Sequence, residues 1–270
     1  MMKYNLYTFI LLAFLLAGCN NVPGDDELIN KRILFLFDSE KTETINGNEP
    51  LFHAPTMNFN LRNPSFIILH HTEEPNCEAA LQKLTHPGTG VSAHYLICKD
   101  GTIYQLVPDH ARAWHAGVSR WGTITDMNSV SLGIELDNYG SEPFPDSQIE
   151  SLITLLKTLQ SRYNILPTDI LGHGDIAPGR KEDPHCLFPW QKLADEGLAI
   201  MPDKESYNNV PDYFHHVSAL QFIGYDTRNI DESIRAFRRR FIGCKKSERS
   251  SLNDQEIRIL FNIVKKYQYY

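Results

Sequence analysis

The chain has 270 residues, 42% of them apolar and 22% charged, with 16 Gly, 15 Pro and no low-complexity run. This excludes a disordered or fibrous protein and suits one main domain with a smaller partner. Lys and Arg number 26 against 33 Asp and Glu, and the net charge of -7 lacks the basic footprint that nucleic acid demands, so no nucleic-acid partner is expected.

The first element is the apolar run Leu6 to Ala17, 12 residues behind a lone Lys3. A spanning helix needs about 20 residues, so the run reads as a signal peptide over residues 1–18. Its end, Leu16-Ala17-Gly18-Cys19, resembles a bacterial lipoprotein lipobox. The resemblance implies that Cys19 becomes the first mature residue, its sulfur joined to diacylglycerol and its amine acylated. Two or three acyl chains anchor a protein stably where one is marginal. Asn20 in place of Asp after Cys19 further implies the outer membrane of a two-membrane bacterium, with the body facing the periplasm. Residues 19–50 read as a polar tether, interrupted by Ile33-Leu34-Phe35-Leu36-Phe37, which suits a strand or an extra helix.

Phe66-Ile67-Ile68-Leu69 is apolar on both faces and ends at His70, as a covered central strand would. His94 to Cys98 and Thr102 to Leu106 flank Lys99-Asp100-Gly101 and predict a hairpin. In Ser131 to Leu136 the apolar Leu132, Ile134 and Leu136 alternate with Ser131, Gly133 and Glu135, so Glu135 points off the apolar face. Ser147 and Glu150 have capping-box spacing ahead of Ile149, Leu152, Ile153, Leu156, Leu159 and Tyr163 at helical period. Pro167 then precedes Ile170-Leu171-Gly172-His173, a short strand running into a loop. Strands alternating with helices predict an α/β body from 51 to about 202.

From about Asp203 the pattern is helical: Tyr213 to Ile223 ending at Gly224, Asp231 to Phe241, and Asp254 to Tyr267 with Ile257, Leu260, Phe261 and Val264 on one face. Residues 203–270 hold 12 basic and 9 acidic side chains, against 14 and 24 in residues 1–202. So small a module gains little stability alone and is expected to pack on the main domain or to fold weakly. With Cys19 set aside, Cys77, Cys98, Cys186 and Cys244 remain, with three possible pairings, in an exported chain that permits disulfides; buried free thiols are the other reading.

Two strands that run parallel and end at one edge would bring His70 and His173 to the same rim, where sites of α/β sheets collect. The loop behind His173 adds Lys181 and Asp183. Two His and one Asp around Zn²⁺ leave a fourth position for water, the arrangement of a catalytic zinc.

His173 through Pro184, G-H-x-D-I-A-P-G-R-K-x-D-P with its leading Gly172, is similar to the second metal motif of the zinc-dependent N-acetylmuramoyl-L-alanine amidases of type 2, which share a fold with peptidoglycan recognition proteins. Ile68-Leu69-His70-His71-Thr72 resembles the first ligand motif, and Val91 to Ile97 the following strand. Arg112-Ala113-Trp114-His115-Ala116-Gly117 resembles the substrate-side segment, and Ser131 to Leu136 the strand of the catalytic acid. Five motifs in the family's order cover roughly residues 66–190. The resemblance implies a mostly β central sheet flanked by helices, with His70, His173 and Asp183 as zinc ligands, Glu135 as general base and Lys181 beside the scissile carbonyl. Trp114 and His115 are expected to touch substrate, whereas His71 and His94 are structural and Cys186 is no ligand. The implied substrates are peptidoglycan and muropeptides. Zinc lowers the pKa of water to about 7, and an oxyanion donor such as Lys181 is worth ~3–4 kcal/mol.

The chain departs from the family pattern at Asn128-Ser129, where Asn-Asp is usual, and at His185-Cys186, where Gly-Pro usually follows Asp183-Pro184. Ala93 stands where phage relatives carry a catalytic tyrosine. The tail loosely resembles a helical peptidoglycan-binding module through Ala219-Leu220, Gly224-Tyr225 and Ile234 to Phe241; its Arg cluster is either a wall contact or a solvated face. Two other functions suit the same fold: a catalytically silent recognition protein and a zinc peptidase acting within the stem peptide.

Overall fold

Six strands form one sheet in the computed structural model of this protein, which describes the backbone of residues 52–53 and the whole of 64–203, 210–243 and 251–270. They are β1 (Phe52–His53), β2 (Phe66–His71), β3 (Tyr95–Ile97), β4 (Ile103–Gln105), β5 (Ser131–Leu136) and β6 (Ile170–Gly172), in the order β1-β4-β3-β5-β2-β6. All neighbours run parallel except β3 and β4, the expected hairpin, whose Gly101 takes a φ of +92° at the turn. The helices are α1 (Cys77–Thr85), α2 (Asp146–Tyr163), α3 (His173–Ile176), α4 (Trp190–Asp195), α5 (His216–Ile223), α6 (Ile230–Phe241) and α7 (Asp254–Tyr267). No helix among the described residues is long and apolar enough to cross a membrane. The signal peptide at 1–18, Cys19, the tether at 19–50 with Ile33 to Phe37, and Cys244 lie outside the described residues.

Alternation along β2 divides the interior. Ile67 and Leu69 join Leu132, Ile134 and Leu136 in a core with Ile149, Leu152, Leu156 and Leu159 of α2. Ile68 points the other way and shares a second core with Leu171 and with Leu220, Ile234, Phe237 and Leu260 of the last three helices. On that same face, over β3, α1 packs Ala80 and Leu84 against Ala93, Leu96 and Leu106. The described residues of 203–270 thus share their core with the sheet and complete the cover of its second face, the packed alternative for so small a module.

Four local expectations are corrected. Ser147 does not cap α2, because its Oγ donates to Lys99 O at 2.7 Å; the helix begins one residue earlier, after Pro145. His173 does not end a strand but opens the one-turn helix α3. In α7 the core face is wider than expected, with Ile259 and Ile263 buried beside Leu260 and with Ile257 and Val264 half-buried against them, while Phe261 sits at the margin against Phe214. The Arg cluster of α6 is not a solvated face: Arg238 and Arg240 are 4% and 5% exposed. Arg238 pairs with Glu256, which also closes the capping box of α7 with Asn253. Of the cysteines, Cys77 and Cys98 are joined, tying the start of α1 to the hairpin, and Cys186 is disulfide-bonded too.

Candidate active site

The register of β2 on β5 sets His70 beside Glu135, and β6 on β2 delivers the chain to His173 one residue after Gly172 pairs with Leu69. Side chains of paired residues in a parallel sheet share a face, so His70 and Glu135 open on the same side of the sheet. From α3 the chain turns back through Lys181 to Asp183, whose carbonyl accepts from Gly174 N at 2.8 Å. His70, His173 and Asp183 are all buried, and their donor atoms converge: the two Nδ1 atoms are 3.0 Å apart, and Asp183 Oδ2 is 3.0 Å from each. Among the described residues this is the one His/Cys/Asp/Glu group able to hold a metal ion.

The far nitrogens fix which way each imidazole faces. His173 Nε2 lies 3.0 Å from Ala116 O and 3.2 Å from Arg180 Nη2, which turns Nδ1 toward the site, 3.0 Å from Asp183 Oδ2. Behind His70 the chain is longer. Ser131 Oγ gives its hydrogen to Met127 O at 2.6 Å and so accepts from His115 Nε2 at 3.4 Å. His115 Nδ1 in turn lies 3.1 Å from His70 Nε2, so His70 Nδ1 also faces the site, 3.0 Å from Asp183 Oδ2. Such outer partners hold ligand rings in one orientation. Burial, reinforced by His173, lowers the His70 pKa to about 4, which keeps the ring neutral at physiological pH. Burial pushes the Asp183 carboxyl up, but its contacts with His173 and His70 outweigh this and hold it well below the usual range.

Glu135 has the opposite fate. Its Oε2 is sealed from solvent and has no hydrogen-bond partner among the described residues. Burial, with Asp183 next in effect, raises its pKa to about 8 despite the opposing charge of Lys181. An orphaned acid beside two converging imidazole nitrogens and a carboxylate marks a site short of positive charge, and a metal ion fits that deficit. The pocket around these groups is also lined by Lys83 and Leu84 of α1, by Trp114 and His115, and by Lys181. Trp114 is half-buried there, while His115 is 9% exposed, with its ring nitrogens turned to His70 and Ser131. His115 therefore backs the His70 ring while lining the pocket. His94 accepts from Gly133 N and donates to Ala111 O, and His71 accepts from His185 N, the structural roles expected of both.

Sequence reasoning missed the supports. Asn128 Oδ1 accepts from His115 N and Ala116 N at 3.0 and 2.8 Å, and Ser92 Oγ accepts from Trp114 N. Arg180 donates to Ala116 O and Val118 O. One signal was present: Gly133 inside a strand, where a Cβ would collide with the His115 ring.

A family model described as N-acetylmuramoyl-L-alanine amidase matches residues 60–186. The chain is 40% identical over 158 residues to the N-acetylmuramoyl-L-alanine amidase AmiD of Escherichia coli (strain K12), a stretch that is 53% of this chain and 56% of that protein, so it spans little more than half of AmiD's length. It is 40% identical over 134 residues to the 1,6-anhydro-N-acetylmuramyl-L-alanine amidase AmpD of Enterobacter cloacae, covering 50% of this chain and 70% of that one. Among solved structures, AmiD from E. coli in complex with the substrate anhydro-N-acetylmuramic acid-L-Ala-D-gamma-Glu-L-Lys superposes with a TM-score of 0.66 at 32% identity, covering 76% of this chain and 91% of that one. With the motifs, the sheet and the convergent site in agreement, the chain belongs to the N-acetylmuramoyl-L-alanine amidase family.

Proposed function

We propose that this protein is a zinc-dependent amidase that hydrolyses the bond between the lactyl group of N-acetylmuramic acid and L-alanine in peptidoglycan or its fragments. The observation that carries the reading is the half-buried Glu135, whose sealed Oε2 has no partner among the described residues, set in register beside His70 on a pocket shared with His173, Asp183 and Lys181. Zinc suits the donors: two imidazole nitrogens and a carboxylate oxygen leave one tetrahedral position open, and ligands bound at about 2.0–2.1 Å stand roughly 3.3 Å apart, close to the 3.0 Å separations of this site. Bound there, zinc would polarise the scissile carbonyl and acidify water at neutral pH. Glu135 takes the proton of the attacking water and returns it to the alanine nitrogen as the amide breaks. The Lys181 ammonium complements the negative charge that grows on the carbonyl oxygen. Trp114 offers a flat apolar wall to the substrate, and His115 keeps His70 in place.

The substrate bound in the AmiD complex makes anhydro-muropeptides the first compounds to test. The deciding experiment is mass spectrometry of a digest: free glycan plus intact peptide supports the proposal, shortened peptide identifies a peptidase, and no cleavage identifies a recognition protein. His70→Ala, His173→Ala or Asp183→Ala should each abolish both zinc stoichiometry and activity. Glu135→Gln should keep zinc and lose about 10² to 10⁴ in rate.

The proposal extends to location. The lipobox ending at Cys19 and the oxidised Cys77–Cys98 pair support a lipoprotein exported to an oxidising compartment, held by its lipid in the outer membrane and facing the periplasm. Cys19→Ser should move the protein to the soluble periplasmic fraction; pelleting that survives a high-salt wash would mean a different anchor.

A further inference from the structure

The loop that carries His173, Lys181 and Asp183 has two sides, and the pocket uses only one. The other side faces α6. Arg239 Nη2 donates to Gly174 O at 3.1 Å and to Lys181 O at 3.4 Å, so one guanidinium bridges the residue after the first loop ligand and the residue two before the second. Its Nη1 stands 4.0 Å from the Glu182 carboxylate. The neighbouring Arg240 reaches deeper: Nη1 donates to Asp175 Oδ2 at 2.9 Å and Nη2 to Ile170 O at 3.1 Å, and its guanidinium lies 3.3 Å from the centre of the Trp190 ring. Asp175 in turn accepts from Gly172 N and from Tyr225 Oη, both at 2.8 Å. The loop is cut to fit this approach. A Cβ on Gly174 would collide with the Arg239 guanidinium, and one on Gly179 would press on Glu232 of α6.

We infer that Arg239 and Arg240 of the C-terminal helices are positioning residues, which hold the 173–183 segment so that His173, Asp183 and Lys181 meet His70 and Glu135. This rests on the amidase reading above. A carbonyl pair bridged by one guanidinium cannot drift apart without losing charge-assisted hydrogen bonds. A misplacement of about 1 Å at a site of this kind costs on the order of a hundredfold in rate. The tail would thus serve the active site directly, whether or not it also touches the wall.

Arg240 is a poor test residue because its loss strands Asp175 in the interior and threatens folding. Arg239→Met keeps the aliphatic bulk and removes the donors, and Arg239→Lys keeps the charge but cannot bridge both carbonyls in the same way. In the full chain, three readouts are compared with wild type: kcat and KM on a small soluble anhydro-muropeptide, the rate of zinc loss to a chelator, and hydrogen exchange of residues 173–183 in zinc-free protein. Arg239→Met should lower kcat about tenfold with KM within twofold, speed zinc loss about tenfold, and accelerate exchange in this segment, with Arg239→Lys in between. If Arg239→Met only lowers the melting temperature, with kcat, zinc loss and exchange well below that temperature all within twofold of wild type, the residue is a buttress and the inference is wrong. Failure of the wild type to bind zinc and cleave would instead overturn the amidase reading.

Discussion

Each face of the sheet buries one aspartate among tyrosine and arginine, yet the two clusters do different work. Over the first face Asp109, fully buried, accepts from Tyr95, Tyr163 and Gln105, and Arg162 closes the group from a side chain that is 38% exposed. Over the second, Asp175 accepts from Tyr225, Gly172 N and Arg240, whose side chain is only 3% exposed. Burial, with the carboxylate beside each ring next in effect, pushes the Tyr95 and Tyr225 phenols well above their ordinary range, so both remain hydroxyl donors at any physiological pH. The first cluster joins α2 to the loop after β4 and lies away from the pocket. The second joins the tail to the segment bearing His173 and Asp183. Similar chemistry therefore seals a seam on one face and, on the other, grips the segment that runs into the candidate site.

The largest effect that would break this comparison is loss of the second cover. Phe237→Ala removes a fully buried ring and should cost about 3–5 kcal/mol in denaturant unfolding, as much as or more than Leu156→Ala on the first face, at about 2–5 kcal/mol. A cost below about 1 kcal/mol for Phe237→Ala would mean that the tail is a guest on the sheet. Arg240→Met should cost a similar 3–5 kcal/mol because it leaves Asp175 uncompensated, and the double change Asp175→Leu with Arg240→Met should recover part of it. Asp109→Asn sharpens the contrast, with about 1–3 kcal/mol from weakened hydrogen bonding and no change in zinc retention. Faster zinc loss in that variant would erase the distinction between the clusters.

The two sides of the molecule were unequally legible in the sequence. His70, Glu135 and His173 could be singled out because each sits at or next to a strand end, where period-two alternation fixes the direction of a side chain, whereas Asp183, in the loop beyond, was reached through the motif and its order. The helices of the tail could be found from their period. Their role could not, since Arg238-Arg239-Arg240 reads as a solvated face until its partners are known. Glu256 lies 18 residues away and Asp175 lies 65 residues away, so neither pair leaves a local pattern. Ser147 misled for the same reason: Lys99 O, 48 residues earlier, competes for its hydroxyl. His115 carried a cue in Gly133, but only the packing reveals that its ring serves His70 before any substrate.

A third acid, half-buried, sharpens the comparison through pH, because no arginine or tyrosine satisfies Glu135 Oε2. Its folded pKa of about 8 lies above the ordinary 4.5. Between those values the zinc-free native state holds a proton that the unfolded chain has released, so stability must fall as pH rises through this window, with a limiting slope of about 1.4 kcal/mol per unit. Access of Glu135 to the pocket reduces the slope, and a total of about 1–2 kcal/mol is expected. Zinc-free wild type should therefore lose more stability than Glu135→Gln between pH 5 and pH 8. Parallel curves would mean that water in the pocket already satisfies the carboxylate.

The smallest effect tests the exposed end of the first cluster. Arg162 sits 3.3 Å from Asp109, but more than a third of its side chain is open to solvent, so its Coulomb energy is screened and its rotamer entropy opposes the pairing. Tyr95, Tyr163 and Gln105 would still satisfy Asp109 without it. Arg162→Ala is expected to cost less than about 1 kcal/mol, and to lose most of that cost in 1 M salt, where the screening length is about 3 Å. The measurement is a pair of urea melts at low and high salt. A salt-independent cost of 3 kcal/mol or more would show that Arg162 is as embedded in its cluster as Arg240 is in the other, and the two faces would then differ only in what lies beside them.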